Sequence, residues 1–208
     1  VHKPSTIGDL SAVVTGILIA FNVPVAAPIW MPVIGGAFAI IVVKMLFGGI
    51  GKNFMNPALG ARAFMMASWP ALMTTWVQPH QSISLFGNVK VTDAISTSTP
   101  LSSLKNGALP GETLMDLFFG QHGGVIGETC ALALLAGGAY LLYRKVITIN
   151  IPAAYILTVA VLTFLFPMGD VSRVQWMLTQ VLSGGLLLGA IFMATDYVTS
   201  PVTPKGQI

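Results

Sequence analysis

Six apolar runs dominate the chain, and each is long enough to cross or nearly cross a lipid bilayer. A transmembrane helix needs about 20 predominantly apolar residues. The pattern therefore predicts an all-α fold, a polytopic membrane helical bundle. The runs cover residues 10–27, 30–47, 57–76, 126–143, 151–166 and 175–195.

Proline and glycine interrupt several of these runs. Pro24 and Pro28 interrupt the first pair, Pro57 opens the third run, and Gly184-Gly185 divides the last. Short or broken apolar segments indicate half-helices, whose freed backbone groups must line a site enclosed by protein. A bundle of ordinary kinked helices is the alternative, and the sequence leaves both open.

Residues 77–112 differ from the rest, because they are polar, rich in serine and threonine, and punctuated by Gly and Pro. This composition predicts one long extramembrane loop, with a short strand at Ser82–Phe86 or Val89–Thr92. The following segment 112–120, "ETLMDLFFG", predicts a short amphipathic helix at the membrane interface. We expect residues 1–208 to form a single transmembrane domain that is incomplete at its N-terminus, because position 1 is Val.

Composition supports the membrane class. The 208 residues are 54% hydrophobic and 8% charged, whereas a soluble domain carries about 25% charged residues. A formal charge of +3 is too small to indicate nucleic-acid binding. The single cysteine, Cys130, cannot by itself hold zinc or an iron–sulfur cluster. It is either a core residue on a helix or one ligand of a cluster shared with another subunit, and no metal site is predicted.

Basic residues predict the orientation. Arg144 and Lys145 lie in a short turn between two apolar runs, and such turns are typically cytoplasmic. Counting outward from this turn puts the 77–112 loop on the outer side of the cytoplasmic membrane and Lys44 at the inner face. Arg62 is left inside an apolar run, where an arginine is usually paired or functional.

Four hydroxyl residues follow one acidic residue in the polar loop. The stretch is Asp93-Ala94-Ile95-Ser96-Thr97-Ser98-Thr99-Pro100-Leu101. A hydroxyl run of this kind is ordinarily a solvated turn. This one resembles the acceptor site of covalent-flavin membrane subunits, written D-G-x-S-G-A-T-x-L. It departs from that pattern at positions 94, 97 and 98, where each replacement is small, so a modifying enzyme could still approach the final threonine.

Two further stretches are similar to motifs of the same subunits. Residues 47–64, "FGGIGKNFMNPALGARAF", are similar to their G-G-x-G-x-N-x-x-N-P-A segment. Residues 188–207, "LGAIFMATDYVTSPVTPKGQ", are similar to their F-x-A-T-D-x-V segment. Together the three motifs resemble the NqrB/RnfD family. The last stretch is closer to the RnfD branch, which belongs to the Rnf ion-translocating ferredoxin:NAD oxidoreductase complex, whereas "GARAF" is closer to the NqrB branch.

The resemblance implies a urea-transporter-like fold and a membrane electron-transfer role coupled to translocation of Na⁺ or H⁺. It implies FMN joined by a phosphoester to the hydroxyl of Thr99, with Asp93, Ser96 and Ser98 as neighbours, and a non-covalent riboflavin without an identified site. The implied partners are RnfA, RnfB, RnfC, RnfE and RnfG, a flavin transferase and the lipid bilayer. An NqrB-type subunit of a Na⁺-translocating NADH:quinone reductase and a non-redox channel or transporter are the alternatives.

Three polar residues near the start of the third run are candidates for binding the flavin. Asn56 before Pro57 predicts a helix cap, because Asn is favoured at the N-cap and Pro at the first helical position. Alternatively, Asn53, Asn56 and Arg62 hold an isoalloxazine edge or a phosphate at this helix end. No catalytic residue is predicted.

Two carboxylates in or beside the apolar runs are further candidates. Glu128 is expected in the first turn of a helix, where the helix dipole favours it, with a role in an ion path as the alternative. Asp196 is expected to act as a cap for the next turn, as a partner of Lys205, or as an ion ligand.

Overall fold

The computed structural model describes residues 7–76, 99–168 and 171–208. Within these ranges the chain is helical and has no strand, which confirms the all-α prediction. The predicted strands lie outside the described residues, and the urea-transporter-like fold stays a prediction. The helices are α1 Ser11–Phe21, α2 Trp30–Phe38, α3 Pro57–Ser68, α4 Pro70–Met73, α5 Pro100–Lys105, α6 Leu114–Phe119, α7 Ala131–Tyr143, α8 Asn150–Leu165, α9 Arg173–Leu182 and α10 Leu186–Leu188.

Two of these helices continue without interruption into π-helical turns. α2 leads into Ala39–Met45 and α10 leads into Gly189–Met193. Short 3₁₀ turns lie at Ile7–Asp9 and Pro204–Gly206. π-Helical turns are rare and occur frequently at functional sites.

The helices are shorter than the apolar runs that predicted them. In the described part of the chain, no single helix is long and apolar enough to cross a membrane. One bent pair, α9 with Leu186–Met193, passes that test by length and composition, with a bend of 62°. The difference arises because apolar residues also fill the connections, so that the run 126–143 becomes helical only at Ala131.

The helix breaks fall where proline and glycine predicted them. α1 ends at Phe21, three residues before Pro24, and α3 begins at Pro57. Gly184 separates α9 from α10 with a φ of 71°, a left-handed conformation that favours glycine because a Cβ would be strained there. The prediction of broken helices is confirmed at these positions.

The connection before α7 lies against the end of α1. The Gly127 amide donates to the Phe21 carbonyl at 2.9 Å, and the Ile126 amide donates to the Val23 carbonyl at 3.3 Å. A Cβ at Gly127 would lie 2.4 Å from the Phe21 Cβ. Only glycine allows the two backbones to approach this closely.

The core lies between α1, α2, α3 and the helix formed by α10 and its π-helical turn. Met31, Ala61 and Met65 are fully buried there, and the Phe38 and Phe64 rings stack at 4.3 Å. Many large apolar side chains of α1, α7 and α8 face outward. An apolar exterior is expected of a helical bundle in a membrane, where lipid covers it.

Candidate functional site

Asn56 caps α3, as its sequence position predicted. Its Oδ1 accepts hydrogen bonds from the backbone amides of Ala58 at 3.0 Å and Leu59 at 3.3 Å. Its Nδ2 donates to the Met193 carbonyl at 3.4 Å. The buried Asn56 side chain therefore starts one helix and also satisfies a carbonyl in the second π-helical turn.

Asn53 joins the two sequence motifs at the same place. Its Nδ2 donates to the Met55 carbonyl at 3.0 Å and to Asp196 Oδ2 at 3.4 Å. The Asp196 carboxylate also accepts from Thr199 Oγ1 at 3.2 Å and from the Val198 amide at 3.4 Å. Asp196 thus caps the turn that follows it, which was one of the three roles expected from the sequence.

A cavity of about 620 Å³ opens beside these asparagines. Small-molecule sites are typically about 300–1,000 Å³, mostly apolar, with a few polar groups that fix orientation. This cavity has that character, because its walls are largely aliphatic and aromatic. Its polar lining residues are Asp9, Ser11, Thr15, Lys44, Asn53, Asn56, Thr195 and Asp196.

Lys44 lies in the first π-helical turn and is buried, with 7% of its surface exposed. The sequence had placed it among the inner-face residues of the basic-residue count. Its Nζ donates to Ser11 Oγ at 2.6 Å, and the Ser11 amide donates to Asp9 Oδ1 at 2.8 Å. Hydrogen bonds from Ser11 are the main cause that lowers the pKa of the Asp9 carboxyl below its usual value, and Lys44 contributes to the same shift.

Arg62 does not line the cavity, and its partner is a residue that the sequence did not single out. Its Nη1 donates to Asn22 Oδ1 at 2.8 Å, and Asn22 Nδ2 donates to the Leu18 carbonyl at 2.7 Å. Asn22 is 1% exposed. The arginine inside the third apolar run is therefore paired, as predicted, and it binds the segment that follows α1.

Glu128 also lies near Arg62, at the break between α9 and α10. A Cβ at Gly185 would lie 3.2 Å from Glu128 Oε2 and 3.8 Å from Arg62 Nη1. Glu128 is buried, and its Oε1 accepts from the Val125 amide at 3.2 Å. The expectation that Glu128 lies in the first turn of a helix is wrong, because α7 begins three residues later.

Thr99 begins α5 inside the stretch predicted to be a loop. Its Oγ1 accepts from the Ser102 amide at 3.3 Å, and Ser102 Oγ donates to the Thr99 carbonyl at 2.8 Å. Thr99 is half-buried. α5 packs on the break between α9 and α10, since Leu101 Cδ2 is 3.4 Å from the Cβ position of Gly184.

The predicted site residues therefore occupy separate places. Asn53 and Asn56 share the cavity, Arg62 pairs with Asn22, and Thr99 caps α5. Three neighbours of Thr99 that the resemblance implies lie outside the described residues; they are Asp93, Ser96 and Ser98.

The sequence model of the NQR2, RnfD, RnfE family matches residues 1–208. The chain belongs to this family. A protein of Acetobacterium woodii, named as a component of the Na(+)-translocating ferredoxin:NAD(+) oxidoreductase complex, is 48% identical over 99% of the chain and 60% of that protein. A Clostridium ljungdahlii protein, named as a component of the proton-translocating ferredoxin:NAD(+) oxidoreductase complex, is 40% identical over 100% of the chain and 63% of that protein.

A third relative, from Rhodobacter capsulatus, is named as a component of the ion-translocating oxidoreductase complex. It is 39% identical over 96% of the chain and 61% of that protein. Each of the three relatives is the D component of its complex. The chain thus spans about three-fifths of the length of these curated relatives. Within that span it contains the acceptor-like stretch 93–101 and the two stretches 47–64 and 188–207.

Sequence reasoning missed several polar residues that the fold buries. Asn22 could have been noticed because it follows α1 immediately before a proline-containing break. Lys44 lies near the end of the apolar run 30–47, which was its one signal, but no single residue predicts that a helix widens into a π-helical turn there. Two others, His122 and Ser183, are buried, and their Nε2 and Oγ atoms have no hydrogen-bond partner among the described residues.

Proposed function

We propose that the chain is the membrane electron-transfer part of an ion-translocating ferredoxin:NAD⁺ oxidoreductase complex, and that FMN is attached to Thr99 through a phosphoester. The names of its relatives support membership of such a complex. They favour the ferredoxin branch over the quinone-reductase alternative, because two of the three carry ferredoxin and NAD in their names. Those names divide between Na⁺ and protons, so the proposal names no coupling ion.

The hydroxyl of Thr99 is the observation that carries the proposal. Its oxygen accepts one backbone hydrogen bond in α5, and a cap of this kind uses the oxygen only as an acceptor. Esterification replaces the hydroxyl hydrogen and leaves lone pairs on the oxygen. The helix can therefore begin at Thr99 whether or not a phosphate is attached.

The surroundings of Thr99 support an acceptor role as well. α5 is held in place by the buried side chain of Leu104 and by Leu101, which packs on Gly184. The threonine is thus at the first turn of an anchored helix and is still half-exposed. A flavin transferase needs this combination of a fixed position and an accessible hydroxyl. We place this loop on the outer side of the membrane, with the Rnf subunits named above as partners.

Covalent attachment predicts a direct test on the denatured subunit. The wild-type chain, produced in its complex together with a flavin transferase, should show flavin fluorescence in a denaturing gel and one FMN in its intact mass. Thr99→Val should abolish both signals, because valine has no oxygen to esterify.

Thr113→Val is the matched control, because Thr113 is also a threonine that caps a short helix, α6. It should keep the flavin. If the wild type carries no flavin, the non-redox channel or transporter becomes the better account of the broken helices. If Thr99→Val keeps its flavin, another residue is the acceptor.

We also propose that the 620 Å³ cavity holds a non-covalent isoalloxazine ring. Its apolar walls suit a flat aromatic ring, and its amides suit the polar edge of that ring. Asn53 Nδ2 is already bonded to Met55 and Asp196, which leaves its Oδ1 as the acceptor that could face a ring N–H. When bound, the ring would supply one- and two-electron chemistry, while the protein binds and orients it.

The cavity proposal predicts that acid releases a flavin from the folded complex independently of Thr99. Asn53→Leu should lower the acid-released flavin at least fivefold, because it removes the amide and fills part of the cavity. The covalent label on Thr99 should persist. Asn150→Leu is a suitable control, since Asn150 binds Gln207 and does not line the cavity. Equal amounts of released flavin in the two variants would exclude this site.

A further inference from the structure

Lys44 is a buried lysine beside an otherwise mostly apolar cavity. It is 7% exposed and lines the cavity wall. An ammonium removed from water loses solvation that its surroundings must replace. A buried lysine therefore requires either a partner in the fold or a partner that binds in the cavity.

The partner that the described residues provide is a neutral one. Lys44 Nζ donates to Ser11 Oγ at 2.6 Å. An ammonium has three N–H donors, and within the described ranges this hydroxyl is the recorded acceptor. One neutral hydroxyl replaces only part of the solvation that a full charge has lost.

The carboxylates that line the same cavity accept their hydrogen bonds from other groups, and the Lys44 charge is the smallest of the causes that act on the pKa of Asp9. Asp9 accepts from the Ser11 amide and lies at the exposed edge of the cavity. Asp196 accepts from Asn53, Thr199 and Val198 in its own turn. Neither carboxylate forms an ion pair with Lys44 in the part of the chain that the structure describes. The ammonium consequently presents positive charge to the cavity.

The first π-helical turn keeps this charge in position. Its wide turn is marked by the Leu46 amide, which donates to the Ile41 carbonyl five residues earlier at 3.0 Å. Lys44 is thereby directed toward Ser11, the first residue of α1. The hydrogen bond between them links two helices and keeps Nζ at the cavity wall.

We infer that Lys44 favours the reduction of a flavin in the cavity. Its ammonium stabilises the negative charge that the isoalloxazine ring acquires on reduction. This inference rests on the proposed function, because it takes a flavin to be the occupant. Two electrons from the reduced carriers of the proposed complex and one proton from water convert the neutral oxidised ring into an anionic reduced ring. Lys44 keeps its own proton throughout and makes no bond to the ring.

The expected signature is a preference for the reduced flavin that depends on the charge of residue 44. Riboflavin binding is measured with the full-length subunit carrying Thr99→Val, so that the cavity holds the flavin under study. Affinities are determined for oxidised riboflavin and for riboflavin reduced with dithionite. Lys44→Met should weaken the reduced form at least tenfold more than the oxidised form, which equals a shift of about 30 mV in the two-electron potential.

Three further variants separate charge from structure. Lys44→Arg retains the charge and should keep the ratio of the two affinities within threefold. Ser11→Ala retains the charge but removes its hydrogen bond, and should change the ratio less than Lys44→Met does. Lys52→Met removes an exposed lysine outside the cavity lining and should leave the ratio unchanged.

The outcomes distinguish the two proposals. If the Thr99→Val subunit binds riboflavin in neither form, the cavity proposal fails. If it binds riboflavin and Lys44→Met weakens both forms equally or neither form, the cavity proposal stands and the role of Lys44 is wrong. An equal ratio change in Lys52→Met would show that general surface charge, and not the buried ammonium, is responsible.

Discussion

Two helices of this protein begin with the same chemistry and in different surroundings. Asn56 before Pro57 begins α3, and Thr99 before Pro100 begins α5. In each case a side-chain oxygen accepts a hydrogen bond from a backbone amide, and proline occupies the first helical position. Asn56 is buried, whereas Thr99 is half-exposed. The asparagine also binds a carbonyl of a distant segment, while the threonine bonds recorded among the described residues stay within its own first turn.

The difference separates a structural cap from a cap that is available for modification. Both Asn56 Oδ1 and Asn56 Nδ2 have partners inside the fold, so a reaction at this side chain would break packing between α3 and the second π-helical turn. When Thr99 is esterified, its oxygen loses the hydroxyl hydrogen but can still accept the hydrogen bond of the cap. The same cap motif thus stabilises the core in one place and can carry chemistry in the other.

Substitution of the two capping residues should destabilise the fold by different amounts. Asn56→Ala removes a cap, worth about 0.5–2 kcal/mol, and one buried hydrogen bond to the Met193 carbonyl, worth about 0.5–1.5 kcal/mol. That carbonyl keeps its hydrogen bond from the Asp196 amide at 3.3 Å. We expect a loss of about 1–3.5 kcal/mol. Thr99→Val removes a cap alone, so its loss should be about 1 kcal/mol. Thermal unfolding of the detergent-solubilised complex measures both.

Thr99→Ser is the control for this comparison, because serine keeps the capping oxygen, and its midpoint should stay close to that of the wild type. Equal losses of stability for Asn56→Ala and Thr99→Val would mean that the hydrogen bond from Asn56 to the Met193 carbonyl contributes nothing to stability. A larger loss at Thr99 would place the stabilising contacts of α5 in its first turn and would weaken the distinction between the two caps.

The sequence alone predicted the parts of this fold that depend on local backbone chemistry. Proline and glycine cannot continue a helix without cost, so the breaks at Pro24 and Gly184 and the start at Pro57 were predictable. The cap at Asn56 followed from the same local preferences. The role of Asp196 as the cap of its own turn was also among the expected alternatives.

What the sequence could not predict are contacts between distant segments. The bond from Arg62 to Asn22 joins residues 40 positions apart, and no local pattern identifies such a partner. Lys44 was counted among the basic residues at the inner face, and its burial could not be predicted because it depends on the packing of a π-helical turn against α1. Glu128 was misplaced because apolar residues of the connection before α7 extended the apparent helix.

A third helix cap, at the start of α6, should show the smallest effect of substitution. Thr113 and Asp116 form a reciprocal capping box at the start of α6, in which Asp116 Oδ2 accepts from the Thr113 amide at 2.9 Å. Hydrogen bonds from the Thr113 amide and hydroxyl lower the pKa of the Asp116 carboxyl below its usual value of 3.8. The stability that the charged Asp116 carboxylate gives to α6 is therefore fully present above pH 3.8. It is lost as the pH falls through the lower pKa of the folded state.

Asp116→Asn imitates the protonated carboxyl and should loosen α6 slightly at neutral pH, because a charge-assisted bond becomes a neutral one. Hydrogen exchange of the α6 amides, corrected for the intrinsic pH dependence, should show faster exchange in the variant at pH 7. The difference should shrink as the pH falls from 7 through the lowered pKa of the folded state, where the wild-type carboxyl also loses its charge. A difference that stays constant over this range would assign the stability of α6 to the Thr113 hydroxyl alone. The capping box would then resemble Thr99, where one neutral hydroxyl starts the helix.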